Sequence, residues 1–83
     1  MNPAAAGRDL GVRYLRKDGR SVATLRLVDY GNSCVVEAEA FPAGGGFPTR
    51  PGPYTFADER QASAFVTDAI EALMYLGCEA SDS

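Results

Sequence analysis

The pair Asp18-Gly19 constrains the fold of this chain more than any other feature of its sequence. Both central residues of a type I′ hairpin turn need positive φ, and Asp-Gly is one of the preferred pairs there. On either side, apolar and polar residues alternate over 12–17 and 20–29, as they do in half-buried strands. The sequence therefore predicts an antiparallel β-hairpin with a two-residue turn.

The same turn predicts which residues face each other across the hairpin. It sets Leu15 opposite Val22 and Val12 opposite Leu25, because a two-residue loop leaves a single register. Successive side chains of a strand point to opposite faces, so these two pairs lie on different sides of the sheet. The predicted inner face of the hairpin contains Val12, Tyr14, Ala23 and Leu25.

A second turn is predicted at Gly31-Asn32. With these two residues at its centre, Leu27 pairs with Val36 on the inner face, and Arg26 pairs with Glu37 on the outer face. The apolar alternation and the turn residues agree on this register, and a slip of one residue would reverse every side chain. The sequence thus predicts a third strand that continues the inner apolar face.

The stretch 42–53 contains four prolines and four glycines, which excludes a central strand and predicts an exposed loop. Its Gly-rich part is not followed by the Lys-Ser or Lys-Thr of a phosphate-binding loop, so a connector is the simpler interpretation. Residues 54–56 are expected to form a short edge strand. Whether they pair with the sheet stays open at this point.

A helix is predicted over 59–76. Asp58 has the chemistry of an N-cap, and Gln61 lies three residues later, as in a capping box. Gly77 is expected to adopt the left-handed conformation that ends helices. The apolar residues between these signals recur at helical spacing, which predicts one buried stripe.

These elements predict an α+β fold: an antiparallel β-meander of three to four strands with one C-terminal α-helix packed on one face, in the order β-β-β-(β)-α. With 83 residues the chain forms one domain. We expect a flexible N-terminal leader over 1–11, the domain over 12–78 and a flexible tail over 79–83. The order is similar in topology to one repeat of the PUR and Whirly single-strand binders, although no signature residue of those families is found.

Enzymatic activity is not expected, because the chain has no histidine, the commonest general base and metal ligand. Cys34 is predicted to point inward beside Asp29, and Cys78 to follow the end of the helix, so neither is expected to be a nucleophile. No cofactor or metal site is predicted. Two reduced cysteines, no export signal and no apolar run of about 20 residues lead us to expect a cytoplasmic protein that does not enter membranes.

Charge is unevenly distributed along the chain. The first thirty residues carry a net charge of +3 and the rest −6. Such a chain would bind a polyanion through its basic end, pair head to tail with a copy of itself, or simply expose two solvated surfaces.

The outer face of the predicted sheet is the candidate functional surface. It is expected to expose aliphatic residues among cations, a mixture that is typical of contact surfaces. Self-association as a homodimer through the sheet face or edge, or binding to another protein, is the leading hypothesis. The predicted interaction residues are Arg13, Leu15, Lys17, Arg20, Val22, Arg26, Val28, Val35, Phe47 and Arg50.

Single-stranded nucleic acid is the alternative partner. It would bind the basic hairpin, but the predicted outer face has no aromatic rings on which bases could stack. The cations that would contact phosphates are Arg13, Arg16, Lys17, Arg20 and Arg26.

Overall fold

The computed structural model of the chain describes residues 7–82. All its strands pair antiparallel in one sheet of order β4-β3-β2-β1-β5. A single helix lies between β4 and β5 in the chain, which confirms the α+β fold and adds one strand to the predicted number. The elements are β1 (Arg8–Lys17), β2 (Arg20–Asp29), β3 (Cys34–Ala40), β4 (Tyr54–Phe56), α1 (Glu59–Tyr75) and β5 (Glu79–Asp82).

Both predicted turns are confirmed. Asp18 and Gly19 have φ of 54° and 79°, as a type I′ turn requires. Gly31 has φ of 93°, and the Tyr30 N–H donates to the Ser33 carbonyl at 2.9 Å across the second turn. The two hairpins therefore start from tight two-residue loops.

The register between β2 and β3 is also confirmed. Leu27 faces Val36 and Arg26 faces Glu37, and seven consecutive residue pairs from Ala23 to Asp29 follow the predicted alignment. The turn chemistry and the apolar alternation are consistent along the whole ladder.

The register between β1 and β2 differs from the prediction because β2 contains a β-bulge. Arg16 pairs with Ser21, but Leu15 pairs with Ala23, so Val22 is an extra residue opposite β1. A bulge of one residue reverses the faces of the β1 side chains beyond it, as far as the next irregularity. Leu15 consequently lies on the inner face, in contradiction to its predicted outward position.

The bulge also corrects the positions of Val12 and Tyr14. Both were predicted to face the helix, and both now lie on the outer face, where Val12 pairs with Arg26 and Tyr14 with Thr24. Val12 is buried but lies outside the main core cluster. A second irregularity, between Asp9 and Gly11, restores the register of the turn, so that Asp9 pairs with Val28.

The main core lies between the inner face of the sheet and α1. From the helix, Ala62, Val66 and Ile70 are buried in it, and from the sheet the fully buried side chains are Leu15 and Val36. At the β4 side the ring centroids of Tyr54 and Phe56 lie 4.9 and 5.3 Å from that of Phe65. The short strand β4 thus extends the core under the first half of the helix.

The helix begins as predicted. The Asp58 carboxylate accepts the Gln61 N–H at 2.9 Å, which satisfies one of the unpaired donors of the first turn. The Gln61 side chain reaches back one residue further than a standard capping box, because its Oε1 accepts the N–H of Ala57 at 3.4 Å. Within residues 7–82, no helix has the length and apolar character that a membrane crossing needs.

The helix ends in a Schellman motif. The Cys78 N–H donates to the Leu73 carbonyl and the Gly77 N–H to the Met74 carbonyl, both at 3.0 Å. Gly77 has φ of 97°, as predicted for the residue that ends the helix. The last helical residue is Tyr75, one residue earlier than expected.

Residues 79–82 form β5, so the prediction of a flexible tail over 79–83 is wrong for these four residues. The strand pairs with β1 between Arg13 and Arg16, and Arg13 Nε lies 2.9 Å from Asp82 Oδ1. The predicted leader over 1–11 is likewise wrong for 8–11, which belong to β1. Residues 1–6 and Ser83 lie outside the described residues.

Candidate interaction surface

The outer face of the sheet was predicted to expose four aliphatic side chains, and the structure contradicts this for three of them. Leu15 is 0% exposed in the main core, and Val22 is half-buried against the same core. Val28 does lie on the outer face but is buried there, and Val35 beside it is half-buried. The bulge at Val22 removes most of the expected apolar surface.

Val28 is covered by the chain that leads into β1. A Cβ built at Gly7 would lie 2.1 Å from Val28 Cγ1 and 2.9 Å from Tyr30 Cε1, so the backbone of Gly7 rests directly on these two side chains. Only a residue without a Cβ permits this close approach. This part of the outer face is therefore already occupied.

Three of the predicted cations form ion pairs within the chain. Arg13 pairs with Asp82, while Arg26 Nε lies 3.8 Å from an Asp9 oxygen and Arg50 Nε lies 3.6 Å from a Glu39 oxygen. Because these pairs are exposed, each contributes little to stability. The carboxylates in these pairs do neutralise positive charge that would otherwise attract a nucleic-acid phosphate.

The remaining predicted residues are at the tip of the first hairpin and in the loop. Arg20 donates to the Ala43 carbonyl, which ties the hairpin tip to the start of the loop. Phe47 is 92% exposed within that loop. Lys17 lies against the end of the helix, since a Cβ built at Gly77 would be 3.3 Å from Lys17 Cε and 3.6 Å from Nζ.

Lys17 supplies a cation that the last turn of the helix lacks. No basic residue lies in the last turn of α1. The carbonyl groups at a helix C-terminus carry a partial negative charge, and a nearby ammonium stabilises it. The hairpin tip and the end of the helix therefore form one continuous region of the surface.

The largest exposed apolar side chains of this region follow one another at the end of the helix. Met74, Tyr75 and Leu76 are 54%, 93% and 66% exposed; we call them the helix-end patch. This patch was not predicted, although the sequence contains a signal for it. Three consecutive residues on a helix point in directions about 100° apart, so one buried stripe cannot cover all of them.

Charged residues border the patch on both sides. Lys17 lies beyond it, over Gly77, and the exposed carboxylates of Asp68 and Glu71 precede it on the helix. Residues four apart on a helix lie on the same face, so Glu71 is next to Tyr75. Ala72, also exposed, follows Glu71 in the chain.

Two open grooves lie away from the patch. One, of about 440 Å³, runs along the outer face beside the Pro-rich loop and carries the charged side chains of Arg26, Glu37, Glu39 and Arg50. The other, of about 340 Å³, separates the first half of α1 from the start of β1 and is lined by Leu10, Leu27 and Val66 among others. Cations and carboxylates alternate in the first groove, so its walls favour neither charge.

Cys34, which was predicted to point inward beside Asp29, is buried. Burial raises its pKa, and the neighbouring Asp29 charge raises it further, so the thiol stays protonated. The pKa of Asp29 is lowered, first by the Gly31 N–H that it accepts at 2.8 Å and also by Arg8 at 3.0 Å. Asp29 therefore stabilises the turn rather than activating the thiol.

Comparison of the chain with protein-family models, with curated proteins and with solved structures finds no match. Its function is therefore inferred from the chemistry of its own surface.

Proposed function

We propose that this protein is a non-catalytic assembly module that self-associates through the helix-end patch. The supporting observation is that three large apolar residues, with Tyr75 almost fully exposed, lie together at one end of the molecule. Large apolar side chains that are exposed close together on a small domain are typical of protein contacts. Tyrosine is also enriched at the centres of such contacts, because it combines a large apolar ring with a polar group.

The chemistry of the chain supports a role without catalysis. Histidine is absent from the sequence, and Cys34 is buried with a raised pKa. Neither feature suits nucleophilic or general acid–base chemistry at neutral pH.

Self-association through the sheet is less favourable than through the helix end. The outer face retains few exposed apolar atoms once Leu15 and Val22 are counted with the core. At the β5 edge, antiparallel pairing with a copy would bring Glu79 close to the second Asp82, and like charges opposite each other are destabilising. The β4 edge has only three residues.

Sedimentation equilibrium over a wide concentration range tests the proposal. The wild-type mass is expected to rise from 8.8 kDa toward twice that value. Tyr75→Ser is expected to stay monomeric, whereas Phe47→Ser, which removes an equally exposed aromatic ring from the loop, is expected to behave like wild type. A wild-type chain that stays monomeric at millimolar concentration would contradict the proposal, as would equal effects of the two variants.

Binding of single-stranded nucleic acid is a second candidate function, and one observation favours it. The bulge turns Tyr14 onto the outer face, opposite Thr24 and two residues from Arg16 on the same strand. An aromatic ring among cations is the arrangement on which bases stack. Arg13 and Arg26, two of the five predicted cations, are already paired with carboxylates, and for this reason we rank the nucleic-acid role second.

Titration with a labelled single strand at low salt tests this second function. If it holds, Tyr14→Ser weakens binding roughly 5- to 150-fold, since stacking contributes about 1–3 kcal/mol per base. Tyr14→Phe keeps the ring and should bind normally. No binding at low salt, where phosphate contacts are strongest, would exclude this function.

A further inference from the structure

The helix-end patch has opposite charges at its two ends. Along α1, Glu71 precedes Tyr75 by four residues, or about 6 Å at a rise of about 1.5 Å per residue. Asp68 precedes it by seven residues, or about 10 Å. Both side chains are exposed, so the helix presents a negative surface on the N-terminal side of the patch.

The other end of the patch carries a cation. Gly77 follows Tyr75 by two residues, and the Lys17 ammonium lies beside it. The tip of the first hairpin brings this cation to the helix, although the two are about sixty residues apart in the chain. The order along the helix axis is therefore carboxylates, apolar patch, ammonium.

This order is self-complementary. In a contact with two-fold symmetry the same surface is used by both protomers, and a residue at one end meets the residue at the opposite end of the partner. A two-fold axis through Tyr75, perpendicular to α1, makes the two helices antiparallel. Each ammonium then lies near the carboxylates of the other protomer, and the two Tyr75 rings meet at the axis.

We infer, on the basis of the self-association proposed above, that two copies meet with antiparallel α1 helices. Lys17 of one protomer pairs with Glu71 and Asp68 of the other, across the two apolar patches. The ion pairs select a second copy of this chain in one orientation, while the apolar side chains provide most of the contact. Two symmetry-related sets of pairs form in each dimer.

Charge-swap variants test the inference. Lys17→Glu and Glu71→Lys are each expected to weaken the dimer about tenfold, because two exposed ion pairs are lost and replaced by repulsion. The double variant Lys17→Glu/Glu71→Lys restores opposite charges and keeps the net charge of −3. It is expected to recover to within about threefold of wild type.

Arg60→Glu is the matched control for Lys17→Glu. It changes the net charge by the same amount but lies fifteen residues before Tyr75 on the helix, outside the predicted contact. It is expected to leave the dissociation constant within about twofold of wild type. Lys17→Gln removes the cation without adding repulsion, and circular dichroism melts check that each variant is folded.

Salt gives an independent readout. Ion pairs are screened as ionic strength rises, so the dimer is expected to weaken between about 20 and about 500 mM NaCl. Over this range the Debye length falls from roughly 20 to roughly 4 Å. A purely apolar contact between chains of like net charge would strengthen instead.

The outcomes separate the inference from the function on which it rests. If Tyr75→Ser leaves the mass of the assembly unchanged, the helix-end patch is not the contact and both fail. If Tyr75→Ser dissociates the dimer but the double variant is no tighter than the single ones, self-association stands and the antiparallel arrangement is overturned.

Discussion

The two hairpins of this protein begin alike and end differently. Each has a two-residue turn with positive φ at its first central residue. From the second turn, the predicted register holds over all seven pairs of the ladder, whereas from the first it holds over two pairs, changes at Val22 and returns only at Asp9 and Arg8, beyond the second irregularity. A turn therefore determines register only as far as the first bulge, and packing determines the register beyond it.

Burial of Leu15 explains why packing favours the bulge. Moving a leucine side chain from water into the core contributes about 1.5–3 kcal/mol. A bulge disturbs about one ladder hydrogen bond, with a net contribution of about 0.5–1.5 kcal/mol. In the second hairpin the regular register already faces Leu25, Leu27 and Val36 inward, so a bulge there would gain nothing.

The largest difference in stability is expected when one residue is deleted either from the regular part of β2 or from its bulge. Deleting Arg26 from the regular part of β2 must reverse the faces of either Leu25 or Leu27, so we expect an unfolded chain by circular dichroism. Deleting Val22 removes the bulge without changing the face of Leu15, so this variant is expected to fold with a loss of about 1–2 kcal/mol of packing. Arg26→Ala, which keeps the register, serves as the control.

Leu15→Ala tests the reversed face of β1 directly. Because Leu15 is fully buried, we expect the free energy of unfolding to fall by about 2–5 kcal/mol in urea titrations. Val35→Ala, on the outer face of the regular hairpin, is expected to cost less than about 1 kcal/mol. A cost below about 0.5 kcal/mol at Leu15 would mean that this residue faces water and that the first hairpin has no bulge.

Alanine substitutions in the two turns test whether the turns themselves contribute differently to the free energy of unfolding. Gly19 and Gly31 both have positive φ with open space around the missing Cβ, so only backbone strain should oppose a side chain. We expect Gly19→Ala and Gly31→Ala each to cost about 1–2 kcal/mol in thermal or urea unfolding. Clearly unequal costs would shift the explanation of the register difference from the bulge back to the turns.

The smallest expected effect is a pH dependence of the second hairpin. The Gly31 N–H, and then Arg8, hold the pKa of Asp29 below its usual range in the folded chain. The stabilisation is therefore present above the unfolded pKa and is lost as pH falls through the folded pKa. Asp29→Asn should lower the melting temperature at neutral pH and have no effect once acid protonates Asp29 in both states; an equal effect at both pH values would contradict this.

Local signals in the sequence predicted much of the fold. Residues that are near one another in the chain determine the two turns, the β2–β3 register, the Asp58 cap and the Gly77 end of the helix. The bulge at Val22 places Leu15 in a core whose helical residues come about fifty residues later in the chain. No local pattern contains that information.

The candidate surface was predicted less well for the same reason. Leu15 and Val22 were assigned to it through a register that tertiary packing overrides. The strand β5 was missed because Glu79–Asp82 has no apolar alternation, and it is held by the backbone of β1 and by the ion pair of Arg13. The helix-end patch was foreseeable from three consecutive apolar residues before Gly77.

The position of Lys17 has a practical consequence, because no other side chain of the protein carries a primary amine. A fluorophore or biotin coupled to that amine would sit at the junction of the hairpin tip and the helix terminus. Acetylation of the same nitrogen would remove its charge there, so one covalent change would alter both the helix end and the adjoining surface.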